Sequence, residues 1–576
     1  MGPPGEGAGS DAEKVPRWLP PLLAAIGIVL FTWPAVPTLA TRLLGQPFSE
    51  VDNHLWMAWF GWRADAPMRN LPVGFDLPLM DPVNLLWWVP GSVFGGVFAY
   101  NFAVLGNLAV AALGGWMLAK ELTGSRPAAL VGMVATAFSP FLSGVVEFGI
   151  TESWPVGWVA IHAALLLRYA RIGSLRSAAG ASVALSAVLL SGWYHAFFAL
   201  VAEMGLGVWV LARRPRLTTI AVIVAQGLVA IAPVLSRLRE TQEKGTIWAS
   251  RFQGLTLPKT YTDWDAQPRF GTDLLNLLLP RPDELPVART VYVGVVVVLL
   301  AAVALRRRVG WALVALAAPF WVLTLGHWLR VGGVPVEGMG PLPAGWLVGA
   351  FPALRGISHW YRAAGFATVF VGAAAAVGAA VLLARVRHPT RWATALAALV
   401  LVDAVSLAPT PWPRPTYAPN PPSALLTLAR PGGLLQLPID EDRGPDGIES
   451  RRVYDQWQLF HGRDIAEHYE GKDALLYRNT TVAGWQRSCA GLAPLLPAVQ
   501  TPAQDLQALL DAGVAYVVVH PPYAKGGCAS VVKKRLGEPV ARTPRAVVWD
   551  LTRAPDLQDT TRGGAAVPAE RAAEIP

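Results

Sequence analysis

AAGFATVFVGAAAAVGAAVLLA, residues 363–384, contains no charged residue, and Arg385, Arg387 and Arg391 follow directly. An apolar run of about 20 residues is what a helix needs to cross a hydrocarbon core about 30 Å thick. The basic cluster behind it marks the cytoplasmic side, because Lys and Arg accumulate in short inner loops. Both signals recur from Trp18 to Pro409 and then stop. Inside lipid only helices or closed barrels satisfy every backbone polar group. These runs are too long and too continuously apolar for barrel strands. The chain is therefore expected to be an α-helical polytopic membrane protein.

Composition agrees: 53% of the residues are hydrophobic and 15% charged, too apolar for a soluble chain of this length. The net charge of +9 does not indicate a nucleic-acid partner, because most Arg in the first 400 residues sits in short loops, where it sets topology. Apolar runs occur at 18–40, 93–119, 127–146, 154–170, 178–195, 196–212, 217–236, 289–305, 310–326, 363–384 and 392–409, about 11 spans. Lys14 and Arg17, Lys120 and Arg126, Arg168 to Arg176, Arg213 to Arg216, and Arg306 to Arg308 fall in alternate loops. That alternation puts the N-terminus inside and everything after the last span outside. The two runs meeting at Trp193-Tyr194-His195 could form one long helix, but two helices keep Arg213 to Arg216 inside. The first span reads as an anchor, with no small-residue cleavage pattern.

The expected organisation has five parts. Residues 1–16 are a disordered tail, and 17–409 a membrane domain with large outer loops at 41–92, 237–288 and 327–362. A Pro-rich linker at 410–424 is stiff. Residues 425–553 form a small α/β extracytoplasmic domain, and 554–576 a loose tail. In the α/β segment, Leu434 to Leu437 and Val514 to Val519 read as buried strands, and Thr501 to Ala512 as a helix ended by Gly513. The two cysteines, Cys489 and Cys528, show no metal-ligand spacing. Outside the cytoplasm they fit a disulfide or two free thiols.

Function usually resides on such outer loops. Asp52, in Glu50-Val51-Asp52-Asn53-His54-Leu55-Trp56, is the first candidate: a carboxylate at the membrane surface can act as general base, although Asp52 could instead cap a helix from Asn53 to Arg63. Glu50 is a second acidic candidate, and His54 and Trp56 could contact a sugar or an acceptor. Asp65, Asp76 and Asp81 read as turn or cap residues. Glu147 and Glu152 flank the second outer loop, where they could orient an acceptor, hold a divalent ion or simply be solvated. Tyr194 and His195 lie at the next outer turn. Arg355, His359 and Arg362 would share one face if 352–362 were helical. A cationic face on the outer side can hold a lipid-linked phosphate as a leaving group.

Several stretches carry a resemblance: Val51-Asp52 to Trp59, Asp273 to Pro280, Leu325-Gly326-His327 to Gly333, Pro352 to Arg362, and Gly513 to His520. In that order they resemble the glycosyltransferase C superfamily, polytopic enzymes that use polyprenyl-phosphate sugars, and within it bacterial members with a C-terminal extracytoplasmic domain. The resemblance implies that Asp52 is the first-loop catalytic acid and Arg362 a phosphate-contacting residue. The implied activity is inverting sugar transfer, without cofactor or metal, on the outer face of the inner membrane. The donor would be a polyprenyl-phosphate sugar and the acceptor an envelope glycan, lipid or protein. A divalent ion held by Asp52, Glu147 and Glu152 is the less favoured variant. Two rival expectations are a transporter or flippase of lipid-linked sugars, which needs ionisable residues inside spans, and a non-catalytic envelope-assembly protein. Only Glu203 and Asp403 stand out inside the spans.

Overall fold

The structure is a computed structural model. It describes residues 15–47, 49–60, 71, 81–243, 271–277, 279–280, 290–336, 339, 341–351, 354, 357, 359–438, 450–466, 479–489, 502–524 and 526–557. The chain divides into two compact units, one of Met1–His54 and Pro78–Ala418, the other of Leu55–Leu77 and Pro419–Pro576.

The first unit is helical. Among the described residues, four helical segments are long and apolar enough to cross a membrane: Gly96–Thr123, Arg126–Phe148, Tyr194–Arg213 and Trp360–Leu383. Five shorter apolar helices accompany them, among them Leu19–Phe31, Leu175–Leu189 and Arg308–Thr324. Among the described residues, length alone therefore supports four crossings, and the larger number read from the sequence also counts shorter apolar helices. The second crossing is itself two helices, Arg126–Ala137 and Pro140–Phe148. Ser139 starts the latter, its Oγ accepting the Leu142 amide at 3.3 Å, with Pro140 in the first helical position, where a missing N–H costs nothing. The stretch at Trp193-Tyr194-His195 is also two helices, Leu175–Leu189 and Trp193–Arg213.

Small residues let these helices close up, as lipid-embedded helices require. A Cβ on Gly114 would lie 2.4 Å from the Gly157 carbonyl oxygen, and one on Gly115 2.6 Å from that of Gly132. Helix Gly96–Thr123 thus meets Val156–Ile172 on one side and Arg126–Ala137 on the other. Both acids inside apolar runs have partners. Asp403 Oδ2 accepts the Val296 amide at 2.8 Å, capping helix Val295–Ala304 from a neighbouring helix, and the Tyr292 hydroxyl donates to Oδ1 at 3.3 Å. Glu203 pairs with His162 Nε2 and accepts from Gln226 Nε2 at 3.3 Å.

The segment after Pro409 begins as part of this unit. Thr416–Tyr417 pairs antiparallel with Leu43–Leu44. Arg414 Nε donates to the Phe31 carbonyl at 3.1 Å, and its guanidinium lies 5.1 Å from the centre of the Phe31 ring. That carbonyl ends helix Leu19–Phe31 and has no helical partner of its own, so a basic side chain is the natural cap. The nearer half of the expected linker is therefore packed structure.

The second unit holds a four-stranded sheet in the order 433–437, 514–519, 546–550, 541–543. The first pair is parallel and the others antiparallel. Helix Pro502–Asp511 leads into strand Val514–Val519 through Gly513, whose φ of +88° suits glycine. Cys489 and Cys528 form a disulfide between helices Thr480–Cys489 and Cys528–Leu536. Leu71 is buried in this core and its amide donates to the Ile465 carbonyl at 3.3 Å.

Candidate functional site

The site belongs to the first unit. Ser49 Oγ accepts the Val51 amide at 3.2 Å, at the start of helix Glu50–Phe60. Asp52 is therefore in the first turn of that helix and not its cap. Its side chain is 1% exposed, and Oδ1 accepts the Tyr417 hydroxyl at 2.5 Å. The 43–44/416–417 strand pair positions that tyrosine. Gly149, with φ of +79°, lies against Val51: a Cβ there would sit 2.4 Å from the Val51 nitrogen. This close approach brings the loop at 149–153 onto the start of helix Glu50–Phe60.

From that junction a polar chain runs inward. The Thr151 amide donates to His54 Nδ1 at 3.1 Å, and the Thr151 hydroxyl lies 2.7 Å from the same nitrogen. An amide donor needs a lone pair at Nδ1, so neutral His54 carries its proton on Nε2. The Thr151 hydroxyl also bonds Asp81 Oδ2. Asn84 Nδ2 donates to Asp81 Oδ2 at 2.9 Å, and Asn107 Nδ2 donates to Asn84 Oδ1 at 2.7 Å. Burial pushes the Asp81 carboxyl up to about 8, against the Thr151 hydrogen bond and with help from the Glu152 charge. Asp81 thus holds a proton at neutral pH.

Glu152 joins this chain to the cation. Arg362 Nη1 is 2.5 Å from Glu152 Oε1, and His54 Nδ1 is 3.8 Å from Oε2. Burial pushes the Glu152 carboxyl up, but the Arg362 guanidinium holds it below the usual carboxylate range. Both partners are almost fully buried, at 7% and 6% exposure. The guanidinium lies 4.7 Å from the centre of the Tyr194 ring, and the Tyr194 hydroxyl is 3.3 Å from His359 Nδ1. Among the described residues, Arg362 Nε, Glu152 Oε2, Asp81 Oδ1 and His195 Nδ1 are buried without a hydrogen-bond partner. Buried polar atoms of this kind are the ones that engage water or a ligand.

The structure thus brings together His54, Glu152, Tyr194, His359 and Arg362, with Asp52 and Glu50 in the helical turn that carries His54. Asn53 Nδ2 donates to Glu50 Oε2 at 3.4 Å. Glu147 takes a different partner, Gln46 Nε2, at 2.5 Å. His195 stacks near Phe366, ring centres 6.1 Å apart. Trp56 packs in the second unit, where its indole N–H donates to Gln458 Oε1 at 2.8 Å. One expectation needs correction. His359 and Arg362 do not sit on one continuous helix: His359 has φ −110° and ψ 70°, and a helical turn starts after it at Trp360. Arg355 lies outside the described residues. Among the described residues, no group of three or more His, Cys, Asp or Glu side chains is arranged to hold a metal ion.

Sequence reading missed Asp81, Asn84, Thr151 and Tyr417. Asp81-Pro82 looks like a turn start, and nothing local marks Thr151 or Tyr417 as partners of residues 97 and 365 positions away.

No protein-family model and no curated protein matches the chain. Among solved structures, the chain is similar to a cryo-EM structure of arabinofuranosyltransferase AftD from Mycobacteria. The identity is 15% and the TM-score 0.49, over 94% of this chain and 40% of that one. It is similar to ArnT from Cupriavidus metallidurans bound to undecaprenyl phosphate, at 12% identity and TM-score 0.43, over 93% of this chain and 98% of that one. It is also similar to the archaeal oligosaccharyltransferase AglB from Archaeoglobus fulgidus, in complex with an inhibitory peptide and a dolichol-phosphate. There the identity is 13% and the TM-score 0.40, over 93% of this chain and 74% of that one. The chain thus spans well under half the length of AftD.

Proposed function

We propose that the protein is a membrane glycosyltransferase of the glycosyltransferase C type. It would move a sugar from a polyprenyl-phosphate donor to an envelope glycan, lipid or protein on the outer face of the inner membrane. The observation that carries this reading is the buried Arg362–Glu152 pair, whose Nε–H has no partner among the described residues. Thr151, next to Glu152 in the chain, bonds His54 in the helical turn that bears Asp52. A fixed guanidinium with a spare donor suits a phosphate oxygen, and a nearby carboxylate suits an acceptor hydroxyl.

In this reading the acceptor oxygen attacks the anomeric carbon while the bond from that carbon to the phosphate oxygen breaks. Asp52 takes the hydroxyl proton, and the polyprenyl phosphate leaves with the bonding electron pair, held by Arg362 with His359 or Arg355. A single displacement inverts the anomeric centre. About eleven spans with the N-terminus inside would put the site and the second unit outside. The Cys489–Cys528 disulfide supports that side, because disulfides persist in oxidising compartments.

The test is mass spectrometry of envelope glycolipids and glycans from wild-type, deletion, Asp52→Asn and Arg362→Gln strains. A sugar missing from all three mutants is the expected result. A defect confined to the deletion strain would overturn the reading. Transfer in membranes treated with EDTA should proceed undiminished; loss restored by one added divalent ion would establish the metal-dependent variant. The transporter reading draws on one specific observation, the His162–Glu203 pair inside apolar helices. It predicts that Glu203→Gln blocks transfer in cells but not in opened membranes.

A further inference from the structure

A cleft of about 620 Å³ opens between helices Leu19–Phe31, Gly96–Thr123 and Arg126–Ala137 of the first unit. Ligand pockets of this size are common. Its chemistry changes along its length. Arg17, Lys120 and Arg126 line one end, whereas Ala25, Ile28 and Ala109 line the body. Lys120 and Ala109 sit about 16 Å apart along their helix, which is long enough for much of an acyl chain. All three cations are exposed at the mouth. The adjacent acid, Glu121, is engaged elsewhere: Arg171 holds it by two hydrogen bonds of 2.6 and 3.0 Å. Among the described residues, the mouth therefore keeps its positive charge.

We propose that this cleft is a binding site for one anionic phospholipid, with its phosphate among Arg17, Lys120 and Arg126 and an acyl chain along Ala25 and Ile28. An apolar slot alone would accept any lipid. A slot ending in three cations discriminates, because each Lys or Arg near a headgroup adds attraction for anionic lipid. The three belong to loops that the charge alternation assigns to the inner side, so this site is separate from the sugar-transfer site and independent of that reading.

The test uses the full-length protein in detergent, with native mass spectrometry after addition of phosphatidylglycerol or phosphatidylcholine of identical chains. Wild type should retain one phosphatidylglycerol per chain with roughly tenfold or greater preference, about 1.4 kcal/mol or more. The triple variant Arg17→Gln/Lys120→Gln/Arg126→Gln should lose the preference. The matched variant Arg306→Gln/Arg307→Gln/Arg308→Gln, which removes equal charge from outside the cleft, should keep it. Ala25→Trp fills the slot, leaves the cations in place and should abolish retention. Thermal melting of each variant confirms that it is folded. Equal retention of both lipids by wild type, equal loss in both triple variants, or retention by folded Ala25→Trp would overturn the proposal.

Discussion

Arg362 and Glu152 form a buried ion pair, and such a pair behaves asymmetrically under mutation. Removing one partner strands the other charge and typically costs about 3–5 kcal/mol. Arg362→Gln should therefore lower the melting temperature in detergent sharply. Arg362→Gln/Glu152→Gln should regain much of that stability without regaining sugar transfer, which separates packing from chemistry. Asp81 makes a different prediction. Its carboxyl is raised to about 8, above the value of about 3.9 expected for an unfolded Asp. The native state therefore binds the extra proton. The stabilisation is complete below about pH 4 and is lost as pH rises towards 8. Wild type should melt lower at pH 8 than at pH 6, and Asp81→Asn should flatten that difference. No equivalent signal was visible in the sequence. Charge and apolar context pointed to Asp52, Glu152 and Arg362, but a neutral carboxyl held by Thr151 and Asn84 exists only once the loops carrying Asp81 and Thr151 meet.

At the level of elements, the legible features were those encoded by consecutive residues. The apolar runs set the helices, and Gly513 ends the helix before the second buried strand. The break inside 127–146 was written in the sequence as Ser139-Pro140, a cap followed by a helix-starting proline, yet continuous apolarity concealed it. Near 352–362 the spacing fits one continuous helix, but His359 has non-helical geometry and a new helical turn begins at Trp360. Asp403 shows why an acid inside an apolar run need not transport anything. It supplies the acceptor that the first turn of helix Val295–Ala304 lacks, so Asp403→Ala should cost about 1–2 kcal/mol of thermal stability, with transfer activity retained below the new melting point.

At the level of the whole molecule, the disulfide closes a loop of 39 residues, and chain-entropy arguments assign such a cross-link roughly 4 kcal/mol. Cys489→Ser should lower the unfolding temperature of the second unit by more than that of the first, read by limited proteolysis across a temperature series. The division of the chain itself reaches further. The second unit takes Leu55–Leu77 from the first loop as well as everything from Pro419 onward, and the boundary at His54 falls within the helix that begins at Glu50. A domain acquired by fusing a gene to the end of another would be continuous, and a stop codon could remove it cleanly. Here a stop after Ala418 would leave Leu71 without its core and Trp56 without Gln458, exposing apolar surface on the stump. Neither piece is a free-standing cassette, so recombination cannot exchange the two as separate parts, and lineages carrying this architecture should gain or lose both together.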